Sequence, residues 1–278
     1  MSTVKLGVAG WILLAIVNVF LWLPLLVIAV LAFSDANSIT FPPPAYSLRW
    51  LSTLVTDDVW RRAIETSAFI GLASTALSLL LGVPLALGLS RGAIGRFTAV
   101  QGAVVAPLIL PGISLAIGFY FVAAWTRLLG TSVPLIVAHT TVGISYVVVT
   151  VLAADRSLDK SLEPAARTLG ASFLRAIADV TLPLVSVGII GGAVLAFLHS
   201  WDDVVNALML GSARVRTFPF HLWNEMQHVL IPIAATAAML LSVVSISVLA
   251  LAGLLLVVRR KQMPANLAES VVLRKGME

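Results

Sequence analysis

Six long apolar stretches alternate with shorter polar segments along this chain of 278 residues. None of the six carries a Lys, Arg, Asp or Glu in its interior. A helix needs about 20 apolar residues to cross a hydrocarbon core roughly 30 Å thick, and a charge at its centre costs roughly 2.5–3.5 kcal/mol. The pattern therefore predicts six transmembrane helices, at about 11–33, 66–90, 98–125, 132–154, 183–201 and 232–258.

The composition agrees with this pattern and narrows the class of protein. Hydrophobic residues make up 59% of the chain and charged residues only 11%, against roughly 25% charged residues in a soluble domain. The mean hydropathy is +1.02. Because polar backbone groups in lipid must be paired within the spanning segment, helices are expected and isolated strands are not. The predicted fold is an all-α membrane protein with one transmembrane domain, 1–278.

Basic residues are distributed unevenly between the two sets of loops. If the N-terminus is cytoplasmic, 12 of the 18 Lys and Arg residues fall in inner segments. Such an excess predicts that both termini are cytoplasmic. The first apolar stretch is longer than the 7–15 residues typical of a secretory signal core, so it is expected to remain as the first span. The basic residues form no patch with interleaved aromatic residues, which argues against a nucleic-acid partner.

The outer segment, 34–65, joins a proline run to an amphipathic stretch. The prolines at 42–44 exclude a helix there. Ser47 is then placed to cap a short helix, and Trp50 and Trp60 are expected near the lipid headgroups. The segment is interpreted as a connector on the outer membrane surface, with contact to a periplasmic partner as the alternative.

The inner segment, 155–182, has a more specific pattern. Ser161 is placed to cap a short helix, and Pro164 would lie in its first turn, where a backbone N–H is unpaired in any case. Gly170 can end that helix in left-handed geometry. A second helical piece at 173–178 would precede Pro183, which is expected to open the fifth span. The pattern predicts a helix, a glycine corner and a helical piece, with an ordinary polar loop as the alternative.

Two adjacent acids, Asp202 and Asp203, end the fifth apolar stretch. Acidic side chains in or beside a span usually face a cavity, because facing lipid is too costly. The pair is therefore a candidate for contact with a cationic solute, and Trp201, Asn206 and Trp223 are candidates along the same route. The alternative is that both acids are solvated and cap the next turn, since aromatic residues at span ends are also common as interfacial anchors.

The sequence carries no recognisable catalytic or metal-binding motif. It has no Gly-x-x-x-x-Gly-Lys-Ser/Thr phosphate loop, no Gly-x-Ser-x-Gly elbow, no His-Glu-x-x-His pair and no cysteine. We therefore expect no catalytic residue, no metal site and no cofactor in this chain, and we expect that it is not an enzyme.

The inner segment resembles the EAA loop of permeases from ABC importers. That family shows Glu-Ala-Ala, three residues, Gly, nine residues and then Ile-x-Leu-Pro. Here Pro164 stands where the family has Glu, Glu163 lies one residue earlier, and Val180 replaces Ile. The resemblance implies a loop that docks on a separate ATPase. Its expected docking residues are Glu163, Pro164, Ala165, Ala166, Gly170, Leu182 and Pro183.

A narrower resemblance, to the second inner-membrane permease of spermidine/putrescine-type importers, covers nearly the whole chain. It rests on the segments 41–50, 106–111, 200–205, 217–223 and 231–235. It implies ATP-driven import of a small, cationic solute, such as a polyamine or a related amine, across the bacterial inner membrane, through a five-helix core made of spans two to six. The implied partners are a sister permease in a heterodimer, two ATPase subunits that bind ATP and Mg, and a periplasmic solute-binding protein.

A stand-alone secondary transporter or channel is the alternative function. Such proteins often carry ionisable residues at the membrane midplane. The six predicted spans contain no acidic residue, Lys or Arg in their interiors, which favours the importer.

Overall fold

The computed structural model describes residues 7–92, 97–212, 214–228 and 232–262. Within these ranges the regular structure is helical, apart from an isolated antiparallel bridge between Ser34 and Tyr46. Both chain termini, which the charge pattern assigns to the cytoplasm, lie outside the described residues. The helices are α1 (Val8–Ala32), α2 (Arg49–Thr56), α3 (Asp58–Ser90), α4 (Phe97–Ile109), α5 (Gly112–Trp125), α6 (Val133–Arg156), α7 (Leu162–Thr168), α8 (Phe173–Ala176), α9 (Leu182–Leu184), α10 (Ser186–Asp202), α11 (Val205–Leu210), α12 (Phe218–His228) and α13 (Pro232–Gln262).

The all-helical membrane fold predicted from the apolar pattern is confirmed. In the described ranges, helices α1, α3, α6 and α13 are each long and apolar enough to cross a membrane. Two further helix pairs reach that length and composition together but are bent, by 100° between α4 and α5 and by 69° before α10. Six spans result if each bent pair forms one span.

The third predicted span, 98–125, is not one continuous helix. Helix α4 ends at Ile109 and α5 starts at Gly112, with Pro111 at the corner in non-helical backbone (φ −56°, ψ 127°). A proline has no N–H to donate, and it biases the preceding residue toward extended geometry. The Leu110-Pro111 step therefore ends one helix and redirects the next.

The fifth predicted span, 183–201, is bent near its start, and its long helix α10 begins at Ser186. Helical backbone already runs through α8, a π-helical turn at Ile177–Thr181 and α9, and the bend follows at Val185. Pro183 cannot donate to the carbonyl four residues earlier, and the wider turn just before it accommodates that missing bond. Pro183 thus lies in α9, just before the bend, and its predicted place at the start of the fifth span stays a prediction.

The contacts within the chain group into two units. Unit 1 comprises 1–66 and 216–244, and unit 2 comprises 67–215 and 245–278. The single permease domain expected from the sequence stays a prediction.

Unit 1 holds the outer segment and refines two expectations about it. Trp60 is only 4% exposed and packs against Phe218 and His221, with ring centroids 5.7 and 4.2 Å away, so its ring faces the protein, and its depth near the headgroups stays a prediction. Helix α2 begins at Arg49, whose N–H donates to Ser47 Oγ at 3.3 Å. Ser47 therefore caps the helix from one position further out than a standard N-cap.

Unit 2 is organised around α6, which packs along α10 in antiparallel register. A Cβ added at Gly188 would lie 2.6 Å from the Thr150 carbonyl oxygen, and one at Gly192 would lie 2.8 Å from Val147 Cα. Small residues let helices in membranes approach this closely.

Two apolar clusters fix the ends of this helix pair. The first packs α3 against α6 near the start of α10 and consists of Ala86, Leu87, Leu89, Val147, Val148, Val151, Leu152 and Val185. The second packs the other end and consists of Ile70, Ala123, Leu135, Ala138, Leu210 and Val215. Each cluster lies beside one of the two candidate sites.

Candidate functional site

The first candidate region is the connector, which we define as residues 157–185 between α6 and α10. Ser161 precedes α7 as predicted, but its hydroxyl donates to Asp159 and does not cap the helix. Gly170 has φ +94°, and the N–H of Ala171 donates to the carbonyl of Ala166 at 3.1 Å. This is the Schellman arrangement, which glycine adopts at little steric cost because it has no Cβ. The predicted glycine corner is confirmed.

The outward side of the connector is unusually apolar for an exposed segment. Leu169 is 89% exposed and Leu174 is 76% exposed. Pro164, Ala165, Gly170 and Pro183 are also exposed, while Ala166 and Leu182 are half-buried. Six of the seven expected docking residues are thus exposed or half-buried, and Glu163 is half-buried as well.

Glu163, the seventh, is turned inward. Its Oε2 lies 2.5 Å from Arg91 Nη2 at the end of α3 and accepts a hydrogen bond from Thr181 Oγ1 at 3.0 Å. The hydrogen bond from Arg91 holds the pKa of Glu163 below its usual range. Its observed partners are therefore groups of its own chain.

A second polar contact joins the connector to α6. Lys160 Nζ lies 2.5 Å from Asp155 Oδ2, and the Asp155 side chain is only 6% exposed. Ser90, the last residue of α3, donates to the same carboxylate. The ends of α3 and α6 and the start of the connector therefore share one polar cluster.

The second candidate region is a cavity of about 430 Å³ between the α4–α5 corner, α6 and the end of α10. It contains both acids predicted to contact solute. None of the described residues that line it is Lys or Arg. Its polar lining consists of Tyr146, His199, Asp202, Asp203 and Asn206, and its apolar lining includes Leu108, Leu115, Phe119 and Val142.

Asp203 is committed to contacts within the protein. Its side chain is 6% exposed, and Oδ1 accepts the backbone N–H of Asn206 at 2.9 Å, in the first turn of α11. The Asn206 amide donates to the other oxygen, Oδ2. His139 Nε2 lies 3.4 Å from Oδ2, longer than a good hydrogen bond, while His139 Nδ1 lies 2.6 Å from Ser200 Oγ. Asp203 thus caps the next turn, as the alternative interpretation expected, but its side chain is buried and not solvated.

Asp202 differs from its neighbour. It is exposed, it lines the cavity, and within the described part of the chain its carboxylate forms no ion pair or hydrogen bond to a side chain. Of the aromatic candidates, Trp201 is 3% exposed and stacks on Phe197, and Trp223 lies on α12 in unit 1, 42% exposed. Of the two adjacent acids, Asp202 is thus the one whose side chain is exposed at the cavity.

Several residues of these sites were not singled out from the sequence. Arg91 and Lys160 were counted only among the basic residues that indicate topology. His139, Tyr146 and His199 lie inside or at the ends of apolar stretches, with no motif around them. The contacts of His139, Tyr146 and His199 depend on the antiparallel register of α6 and α10, and those of Arg91 on the packing of α3 beside the connector, which no local pattern reveals.

Comparisons with known proteins agree on the class. Residues 77–262 match the family described as "binding-protein-dependent transport system inner membrane component". The chain is 32% identical over 238 residues to the putrescine transport system permease protein PotI of Escherichia coli (strain K12), which covers 82% of this chain and 83% of that protein.

Two further comparisons widen the picture. The chain is 34% identical over 206 residues to the molybdenum transport system permease protein ModB of Mycobacterium tuberculosis (strain ATCC 25618 / H37Rv), covering 69% of this chain and 77% of that one. A solved structure of a bacterial ABC transporter involved in the import of the acidic polysaccharide alginate matches with a TM-score of 0.66 and 19% identity, over 92% of this chain and 97% of that chain. This structural match supports the fold alone.

Proposed function

The chain belongs to the family of inner-membrane components of binding-protein-dependent transport systems and is a permease subunit of an ABC importer, and from this premise we propose that its solute is a small organic cation. Polyamines such as putrescine and spermidine, and related amines, are the proposed class. The family resemblance drawn from the sequence is confirmed, and the solute is the part that we propose.

The acidic cavity is the observation that most directly supports a cationic solute. Asp202 presents an unpaired carboxylate to a space of about 430 Å³ whose described lining contains no Lys or Arg. In surroundings of reduced dielectric a carboxylate attracts an ammonium group and repels an oxyanion more strongly than in water. The apolar wall suits the methylene chain of a diamine, and the volume lies within the usual range for small-molecule sites.

The relatives taken alone do not decide the solute. One is named for putrescine and another for molybdenum. Arg and Lys are the residues that commonly bind oxyanions, and their absence from the described lining favours the amine.

We propose the connector as the docking surface for a separate ATPase, through Pro164, Ala165, Ala166, Gly170, Leu182 and Pro183. The exposed Leu169 and Leu174 support this role, because exposed apolar patches commonly mark interaction sites. ATP and Mg would be bound by that partner, and no cofactor is proposed for this chain. The proposed assembly contains a sister permease, two ATPase subunits and a periplasmic solute-binding protein.

The proposed orientation places both termini and the connector in the cytoplasm of a bacterium and the acidic cavity toward the outer side of the inner membrane. The excess of inner basic residues supports it.

Reconstitution tests the proposed solute and the energy source together. Proteoliposomes carrying the permease, its sister subunit, the ATPase and the binding protein should accumulate putrescine only when ATP is enclosed inside the vesicles. They should not accumulate molybdate. Molybdate accumulation would overturn the cationic solute. Putrescine uptake by the permease without the ATPase, driven by an ion gradient, would favour a secondary transporter.

A further inference from the structure

Helix α7 has no fully buried side chain to anchor it. It contains seven residues, and none of them is buried. A helix this short is not stable in isolation and depends on contacts with the rest of the protein. The polar groups that join it to neighbouring helices therefore decide where it sits.

Arg91 provides the strongest of these contacts. Its Nη2 lies 2.5 Å from Glu163 Oε2 and 3.3 Å from Thr181 Oγ1, and its Nη1 donates to the Leu87 carbonyl at 3.0 Å. The guanidinium is thus held against the last turn of α3, which ends one residue before Arg91, while it binds α7 and the π-helical turn. We call Arg91, Glu163 and Thr181 the Arg91 brace.

Burial distinguishes this brace from an ordinary surface ion pair. The Arg91 and Glu163 side chains are 24% and 20% exposed, whereas Arg175 and Asp179, also in the connector, are 76% and 64% exposed. Charge-assisted hydrogen bonds shielded from water are stronger than exposed pairs, which contribute little. The Arg175–Asp179 pair also lies within four residues of one helical stretch and joins no separate elements.

We propose that Arg91 is a positioning residue that fixes α7 to α3, so that displacement of the connector is passed on to the membrane helices. Glu163 acts in this brace, inside the chain, and is not a contact to the ATPase. This inference rests on the proposed docking role of the connector. The cluster of Ser90, Asp155 and Lys160 holds the preceding residues to α6, so both α3 and α6 move with α7.

Charge reversal and charge exchange test the brace. The variants are Arg91→Glu, Glu163→Arg and the double exchange, in complexes purified with the ATPase. Since the chain has no cysteine, Leu110→Cys in the cavity wall can report the state of the permease through its rate of labelling by a thiol reagent, with and without ATP. This readout requires no knowledge of the solute.

Each single reversal should reduce the ATP-driven change in labelling about tenfold, as expected for loss of a charged hydrogen bond, while the ATPase still co-purifies. The double exchange should recover most of the change, because the pair is restored with opposite polarity. Arg61→Glu is the matched control, because its pair with Asp58 is exposed and lies outside the connector, and it should leave coupling near wild type. If a reversal prevents membrane insertion, the milder variants Arg91→Gln and Glu163→Gln replace it. Each should show a smaller loss of the ATP-driven change in labelling.

Three results would overturn the proposal. Loss of ATPase co-purification in Glu163→Arg would make Glu163 a docking contact. If the double exchange shows no larger ATP-driven change in labelling than the worse single variant, Arg91 and Glu163 do not act as a pair. An absence of any ATP-driven change in the Leu110→Cys parent would instead refute the proposed docking role, and this inference with it.

Discussion

The two ends of the α6–α10 pair use acidic residues in different ways. At the connector end two acids shielded from water are paired, Glu163 with Arg91 and Asp155 with Lys160. At the cavity end Asp203 is held by Asn206 and lies near His139, while the adjacent Asp202 has no such partner in the described structure. Paired carboxylates fix the position of neighbouring segments, and an unpaired carboxylate at a cavity is available to a ligand. The difference supports the proposal that one end serves coupling and the other contacts the solute.

Strain at the glycine corner should produce the largest effect. Gly170→Val places a β-branched side chain at φ +94°, a backbone conformation that such residues avoid. We expect ATP-driven uptake to be abolished while insertion into the membrane is retained. Gly130→Val is the control, because Gly130 has φ +89° but lies in the turn between α5 and α6. Equal loss in both variants would indicate general misfolding and not a connector function.

This corner also shows what the sequence could predict. The spacing from Ser161 to Gly170 indicated a short helix ended by a left-handed residue, and the structure has both. Local rules sufficed because the Schellman arrangement involves hydrogen bonds within six residues. The inward turn of Glu163 depends instead on Arg91, 72 residues away in the chain. The break at Pro111 was marked by its proline, but its angle depends on packing.

Labelling by a thiol reagent outside the cell should differ almost completely between the two ends of α6. With cysteines placed singly at Thr131 and Arg156, both exposed, an impermeant thiol reagent added outside intact cells should label Thr131→Cys and spare Arg156→Cys. The reason is the proposed orientation, with the connector end inside. The reverse labelling pattern would invert the assignment of coupling and solute ends to the two faces of the membrane.

Stability should distinguish the two adjacent acids. Asp203→Ala removes a buried acceptor and leaves the Asn206 donors unpaired, which should lower the free energy of unfolding by about 1–3 kcal/mol. Asp202→Ala should change it by less than about 0.5 kcal/mol, because the side chain is exposed. Thermal unfolding of the purified complex in detergent measures both. Equal destabilisation would show that the neighbours share one structural role.

Solute kinetics of Asp202→Asn test the central claim most directly. Asparagine preserves size but removes the charge that attracts a cation, so the apparent KM for putrescine uptake by the reconstituted complex should rise roughly three- to tenfold, with little change in maximal rate. Asp202→Glu should stay near wild type, and solute binding to the external binding protein should be unaltered. Unchanged kinetics in Asp202→Asn would contradict the account, because the one unpaired acid at the cavity would then play no part in moving a cation.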